Sequence, residues 1–251
     1  MCAISGIAAR PIGEIEFWRD WREERPESEP IPNIANKMVE ARVFLDCIER
    51  HREKLASDGR VVELGAGDGR APCIYKRLFR RAHVTAADIS EFAARSIPKW
   101  KRLLSVRLDG AHPCVSYQIK EPGNSIDRIF CFAAAYHFVA QKRTLHEISR
   151  APKPGGRACY FCEPATPRHL YPLTYRRVNR KRPDVPEDVL ITSKIKKIAE
   201  AVGVLAQIDY YPSTLCRGPI EGMYYYRLER FRLFHKCMPC TVNLIVTKPS
   251  L

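Results

Sequence analysis

No stretch of the chain approaches the ~20 consecutive apolar residues that a membrane-spanning helix needs, which argues against a transmembrane protein. Met1–Ala9 is mildly apolar, but no basic region precedes it and Arg10 follows early, so it makes a poor secretory signal. Without an export signal the ten cysteines read as reduced thiols, and the expected location is the cytoplasm. Neither an internal repeat nor a low-complexity tract is present, which excludes solenoids and disordered tails. Acidic side chains are in deficit: 28 Asp+Glu face 42 Lys+Arg, a net charge of +14. That balance favours anionic partners such as phosphorylated small molecules, nucleic acid or a membrane surface. The excess is uneven. Residues 165–236 hold 14 basic and 7 acidic side chains, a surplus of 7, which is half of the total.

What is present is an alternation of short apolar runs and helical patterns. Residues 1–35 read as an N-terminal arm or lid, irregular over 22–33, with Phe17, Trp18 and Trp21 as apolar anchors before it. From 36 to 251 the chain reads as one α/β domain. A helical spacing over 36–56 stops at Ser57-Asp58-Gly59. Strands are expected at 60–64, 82–87, 103–108, 127–132, 157–162, 204–210 and 241–247, with helices at 68–79, 91–96, 139–150 and 187–202. This order predicts a doubly wound, mostly parallel sheet. No convincing crossover helix separates Tyr210 from Thr241, so the last strand is expected to run antiparallel. Two insertions, 164–186 and 212–239, leave the carboxyl ends of strands, where ligand sites of open α/β sheets lie, and are expected to cap a substrate pocket.

The strongest local signal is Val61-Val62-Glu63-Leu64-Gly65-Ala66-Gly67-Asp68-Gly69, a buried strand running into alternate glycines and then a helix. Glycine permits positive φ and close approach of backbone to a ligand. The dinucleotide form of this turn is Gly-x-Gly-x-x-Gly. Here the spacing is Gly-x-Gly-x-Gly, and Arg70 stands in the slot of the last dinucleotide glycine. Glu63, two residues before Gly65, opposes a pyrophosphate but suits an ammonium or sulfonium. Asp88, in Ala87-Asp88-Ile89-Ser90, closes the second strand 19 residues after Gly69, where a carboxylate accepts ribose hydroxyls. Taken alone, Asp88 is also a helix cap, with Ser90 competing. Asp109, before Gly110, is expected to end the third strand beside an adenine, although Asp-Gly is also a common turn.

These residues resemble the class I S-adenosylmethionine-dependent methyltransferases. Glu63 to Gly69 is similar to their first motif, Asp88 to the ribose acid and Asp109 to the acid beside adenine. The stretch 126–138 is similar to their fourth strand and the turn after it. Leu145 to Arg157, with Lys153-Pro154-Gly155-Gly156, is similar to the helix and turn before the fifth. The resemblance covers about residues 36–163. It implies a Rossmann-like seven-stranded sheet with the last strand antiparallel, and S-adenosylmethionine bound by Glu63, Gly65, Gly67, Gly69, Asp88, Ile89, Asp109 and Gly110. It says little about the acceptor. Pro152 departs from the aliphatic residue usual at its position.

Methyl transfer needs alignment, exclusion of water and, for a hydroxyl acceptor, removal of a proton. His137 follows the fourth strand and is the first candidate base. Glu163, just past the fifth strand, is the second. Tyr136 and, from the insertions, Tyr175, Arg176, Arg177 and Tyr224 are candidate acceptor-binding residues, since aromatics beside arginines hold sugars and phosphates. The duller reading is a partly apolar lid with a solvated charged face. Cys159/Cys162 and Cys237/Cys240 imitate a four-thiolate zinc site, but the first pair falls on a strand, where residues three apart face opposite sides. No metal is therefore expected. The leading expectation is a small-molecule or carbohydrate methyltransferase, and the runner-up is an RNA methyltransferase. No Asn-Pro-Pro-Tyr-type motif follows the fourth strand to favour a base as acceptor.

Overall fold

The computed structural model describes residues 31–94, 97–180, 187–215 and 217–250, besides 15, 16 and 19. The expected anchors Phe17, Trp18 and Trp21 and the arm over 22–30 lie outside the described residues. The elements in chain order are α1 (Ile31–Arg50), α2 (Arg52–Leu55), β1 (Arg60–Leu64), α3 (Arg70–Leu78), β2 (His83–Asp88), α4 (Glu91–Ala94), α5 (Ile97–Leu103), β3 (Gly110–Pro113) and β4 (Ile126–Phe132). They continue with α6 (Gln141–Arg150), β5 (Pro152–Thr166), α7 (Tyr171–Val178), β6 (Leu190–Ile191), α8 (Thr192–Ala201), β7 (Leu205–Tyr210), α9 (Pro219–Arg230) and β8 (Cys240–Thr247).

The sheet order is β3-β2-β1-β4-β5-β8-β7, with the short β6 beside β5. β1 to β5 pair in parallel, and β8 runs antiparallel to both β5 and β7. This is the expected doubly wound, Rossmann-like architecture with a reversed last strand. The eighth strand comes from β6. The periodicity over 187–202 reads as one helix, but Leu190 is drawn into register with Ala165, and the helix begins only at Thr192.

Alternation along the strands divides the core in two. Val61, Phe130, Cys159 and Phe161 join α1 and α3 on one face, with Phe44 and Tyr75 5.7 and 5.1 Å from the Phe130 ring centroid. Val62, Leu64, Ile129, Cys131 and Tyr160 join α6 and α8 on the other. Both faces of the central strands are covered, which is why they read as continuous apolar runs. Each fully buried aromatic or aliphatic side chain contributes about 1.5–3 kcal/mol.

Two expectations fail. Residues 103–108 are not a strand. Helix α5 runs to Leu103, Ser105 takes a left-handed conformation with φ 51°, and the chain enters the sheet only at Gly110. The four apolar residues there cap a helix end instead of forming a ladder. The 212–239 insertion, read as irregular, contains the 12-residue α9, started by Gly218 with Pro219 at the first turn.

Candidate active site

Gly65, Gly67 and Gly69 all take positive φ, at 72°, 52° and 81°. Gly69 caps α3 in the left-handed region, and a Cβ on Gly65 would meet the Ala134 methyl at 2.7 Å. The turn is therefore pressed against the chain that leaves β4, and only glycine fits. The amides of Gly65 and Ala66 both donate to the Ala87 carbonyl, at 2.8 and 3.1 Å, which ties the turn to the end of β2.

Asp88 closes β2 as expected. Its Oδ2 accepts the Gly67 amide at 2.8 Å and its Oδ1 the Ser90 amide at 2.9 Å. Ile89 beside it is half-buried. Glu63 is fully buried, and its Oε2 has no hydrogen-bond partner. Burial, with Asp68 close by, pushes its carboxyl well above the usual range. Arg70 starts α3: its guanidinium reaches Glu40 of α1 at 2.5 Å and Asp68 at 3.4 Å, lies over the Trp100 ring, and its charge opposes part of the rise at Glu63.

Asp109 and Gly110 are not where the sequence places them. Gly110 opens β3 opposite Thr85, midway along β2, and Asp109 lies one residue earlier beside Val84, so neither reaches the strand ends that carry the glycine turn. Asp109 accepts the Val84 amide at 2.8 Å and Lys76 at 3.0 Å. Lys76, the Val84 amide and His83 together outweigh desolvation and hold its carboxyl below the usual range. The misplacement follows from the misread strand. The site end of β3 is Pro113, with the Cys114 amide donating to the Asp88 carbonyl.

Glu163 is fully buried and faces the turn after β4. Oε1 accepts the amides of Ala134 (3.1 Å) and Ala135 (3.0 Å), Oε2 that of Tyr136 (3.2 Å), and the Cys131 thiol donates at 3.5 Å. Desolvation raises its pKa to about 7 against those hydrogen bonds. Glu163 therefore holds the turn carrying Tyr136 and His137, a different task from the expected base. It gets there through a bulge in β5: Cys162 takes φ 59°, the β5–β8 register shifts between Tyr160 and Glu163, and the Asn243 side chain accepts the Cys162 amide at 3.0 Å. Left-handed backbone at a non-glycine residue is strained and persists because its surroundings impose it. Asn243, buried on β8, is the residue that sequence reasoning missed. An amide in an otherwise apolar strand was the available signal.

His137 and Tyr136 are half-buried, their rings 4.1 Å apart. The Tyr136 carbonyl accepts the Asp188 amide, and Asp188 also accepts the Tyr171 hydroxyl at 2.8 Å, so the cap over 164–186 is anchored to this turn. Tyr175 is half-buried in α7, with Arg176 and Arg177 exposed. Among the described residues no group of three His, Cys, Asp or Glu is placed to hold a metal. Burial raises the thiols of Cys159 and Cys240 to about 12 each, as inert buried cysteines.

Sheet order, glycine turn and the two strand-end carboxylates agree with the resemblance to the class I S-adenosylmethionine-dependent methyltransferases. The residues suit that cofactor. An unpartnered buried carboxyl accepts a cationic group, a second carboxylate stands at the end of the neighbouring strand, and the glycines leave room for backbone contact. Residues 62–160 match the family model described as the methyltransferase domain. Solved structures share the fold. A geranyl diphosphate C-methyltransferase from Streptomyces coelicolor, in complex with Mg2+, geranyl diphosphate and S-adenosyl-L-homocysteine, superposes with a TM-score of 0.62 at 14% identity, over 81% of this chain and 77% of that one. A Haemonchus contortus N-methyltransferase, in complex with phosphomonomethylethanolamine and S-adenosylhomocysteine, gives 0.61 at 13%, over 81% and 52%. The [4+2]-cyclase SpnF gives 0.60 at 14%, over 84% and 81%. The same frame thus carries different chemistries, so the residues and the matched domain, and not the fold, support methyl transfer. No curated protein matches the chain.

Proposed function

We propose that the protein methylates a small polar or anionic acceptor, a hydroxyl of a sugar, a nucleotide-linked sugar or a natural product, held between the two caps. The observation that carries the donor half is the Glu63 carboxyl, buried in the glycine turn with Oε2 unpartnered. Bound there, S-adenosylmethionine supplies an electrophilic methyl group on a sulfonium. Glu63 favours the cationic end of such a ligand, and Asp88 accepts its ribose hydroxyls. The caps exclude water and supply the acceptor contacts. Arg176 and Arg177 attract an anionic group, and Tyr136, Tyr175 and Tyr224 offer ring faces and hydroxyls. A ring nitrogen of His137 takes the acceptor's hydroxyl proton, while Glu163 fixes the turn that presents His137. The two methyltransferases named above, both solved with small phosphorylated ligands, support an acceptor of that kind.

Calorimetry on the full chain tests the donor half: S-adenosylhomocysteine is expected to bind and NAD is not, and the reverse result sinks the reading. For the acceptor half, His137→Ala should lower turnover about a hundredfold or more with little change in cofactor affinity, because a base acts in the transition state. The basic surplus favours RNA as the rival acceptor. Saturable binding of tRNA that persists at physiological salt would replace the small-molecule acceptor and leave the donor half intact.

A further inference from the structure

The 212–239 insertion carries more exposed apolar surface than its place over a pocket requires. Seven of the sixteen large apolar side chains exposed among the described residues fall between Ile220 and Met238. Helix α9 buries only Tyr225 and Leu228, and the 3-10 turn Arg232–Lys236 after it buries nothing. Ile220 and Leu233 are 87% and 90% exposed, and the consecutive residues from Phe231 to Phe234 all face solvent. Scattered apolar residues on a surface need no explanation, but a contiguous cluster marks an interaction site.

Cations stand among these side chains. Met223, Arg227 and Arg230, spaced by four and three residues, share one face of α9, and Arg232 and Lys236 continue it along the 3-10 turn. All four cations are exposed, against the single acid Glu229. The other acid of the segment, Glu221, is held by Arg217 at 2.7 Å. Exposed apolar side chains interspersed with four exposed cations match a surface with an apolar interior and an anionic face.

We propose that α9 and the turn after it form an interfacial docking surface for an anionic lipid bilayer. Leu233, Phe231, Phe234 and Ile220 enter the acyl boundary, and Arg227, Arg230, Arg232 and Lys236 meet lipid phosphates. No helix among the described residues is long and apolar enough to cross a membrane, so the contact is peripheral. Nucleic acid fits less well: Tyr226, Phe231 and Phe234 offer rings, but the two most exposed side chains, Ile220 and Leu233, are aliphatic and gain nothing from stacked bases. A second copy would set arginine against arginine across a two-fold axis. The insertion leaves the carboxyl end of β7, on the glycine-turn side of the sheet, so docking turns the mouth of the cleft toward the bilayer.

Sedimentation of the full chain with vesicles tests this, using phosphatidylcholine alone and phosphatidylcholine with about 30% phosphatidylserine. Affinity for the anionic vesicles should be at least tenfold higher. A double Leu233→Asp, Phe234→Asp variant should lose that binding about tenfold or more while melting at the same temperature, because both side chains are exposed. A double Arg230→Glu, Arg232→Glu variant should lose the preference for phosphatidylserine. Wild-type protein left in the supernatant with both vesicles overturns the proposal, as does undiminished binding by the Asp variant. It is equally overturned if the Asp variant instead turns a dimer into a monomer or abolishes saturable tRNA binding. None of these readouts uses a methyl donor or acceptor, so failure here leaves the proposed methyl transfer standing.

Discussion

Two glutamates at the carboxyl ends of two parallel strands, Glu63 on β1 and Glu163 just past the bulge of β5, are both fully buried and both have raised pKa values. Their surroundings are opposite. Glu163 accepts three backbone amides and leaves little capacity for anything else. Glu63 has an oxygen with no partner at all. A buried polar group left unsatisfied costs free energy, so a chain keeps one where a ligand completes it and satisfies the other where the fold needs it. The contrast separates a carboxyl left open from one that positions backbone.

The largest expected effect tests the positioning role. Glu163→Ala strands three buried amides over a cavity and should cost about 3–5 kcal/mol, read by urea unfolding. A loss below about 1 kcal/mol would mean that those amides find water or other partners.

A smaller effect lies in the pH dependence. The folded-state pKa of Glu163, about 7, is above its usual 4.5, so its contribution is full below pH 4.5 and is lost as pH rises to 7. Relative to Glu163→Gln, which does not titrate, the wild type should lose roughly 3 kcal/mol across that window. Parallel stability curves for the two proteins would show that the amide donors outweigh burial and keep Glu163 ionised throughout.

Glu63 should behave in the reverse way. Glu63→Gln should leave unfolding stability within about 1 kcal/mol, since it removes no protein hydrogen bond of Oε2, but should weaken S-adenosylhomocysteine binding roughly tenfold to a hundredfold. Equal losses of stability and affinity would erase the distinction between the two carboxyls.

The smallest effect is fractional. A cationic ligand lowers the raised pKa of Glu63, so binding of S-adenosylmethionine should release part of a proton. Calorimetry in buffers of different ionisation enthalpy reads it, and Glu63→Gln should abolish it.

The place of Glu63 beside the glycine turn was legible in the sequence, and the amide contacts of Glu163 were not. Glu63 and the glycines act through local backbone, and a strand running into Gly-x-Gly-x-Gly fixes their geometry within nine residues. Asp88 lies one strand away and is placed by the same parallel unit. Glu163 depends on a bulge imposed by Asn243, 81 residues downstream, and no local pattern carries that information. Asp109 fails for another reason. An apolar run at 103–108 has the composition of a strand, yet the left-handed Ser105 closes a helix there, which shifts the true strand and leaves the acid short of the strand ends that carry the glycine turn. Helix α9 was hidden by its aromatics and internal glycine, although Gly218-Pro219 marked its start.

The reversed last strand has a consequence for how such a protein changes over time. Because β8 lies between β5 and β7, the excursions that leave those two strands emerge toward the β7 edge, while Glu63 and Asp88 stand on β1 and β2 in the other half of the sheet. Among the described residues no hydrogen bond joins either excursion to the glycine turn. On the proposed function, substitutions and insertions that retune the acceptor would therefore accumulate at one edge while the other half keeps its sequence.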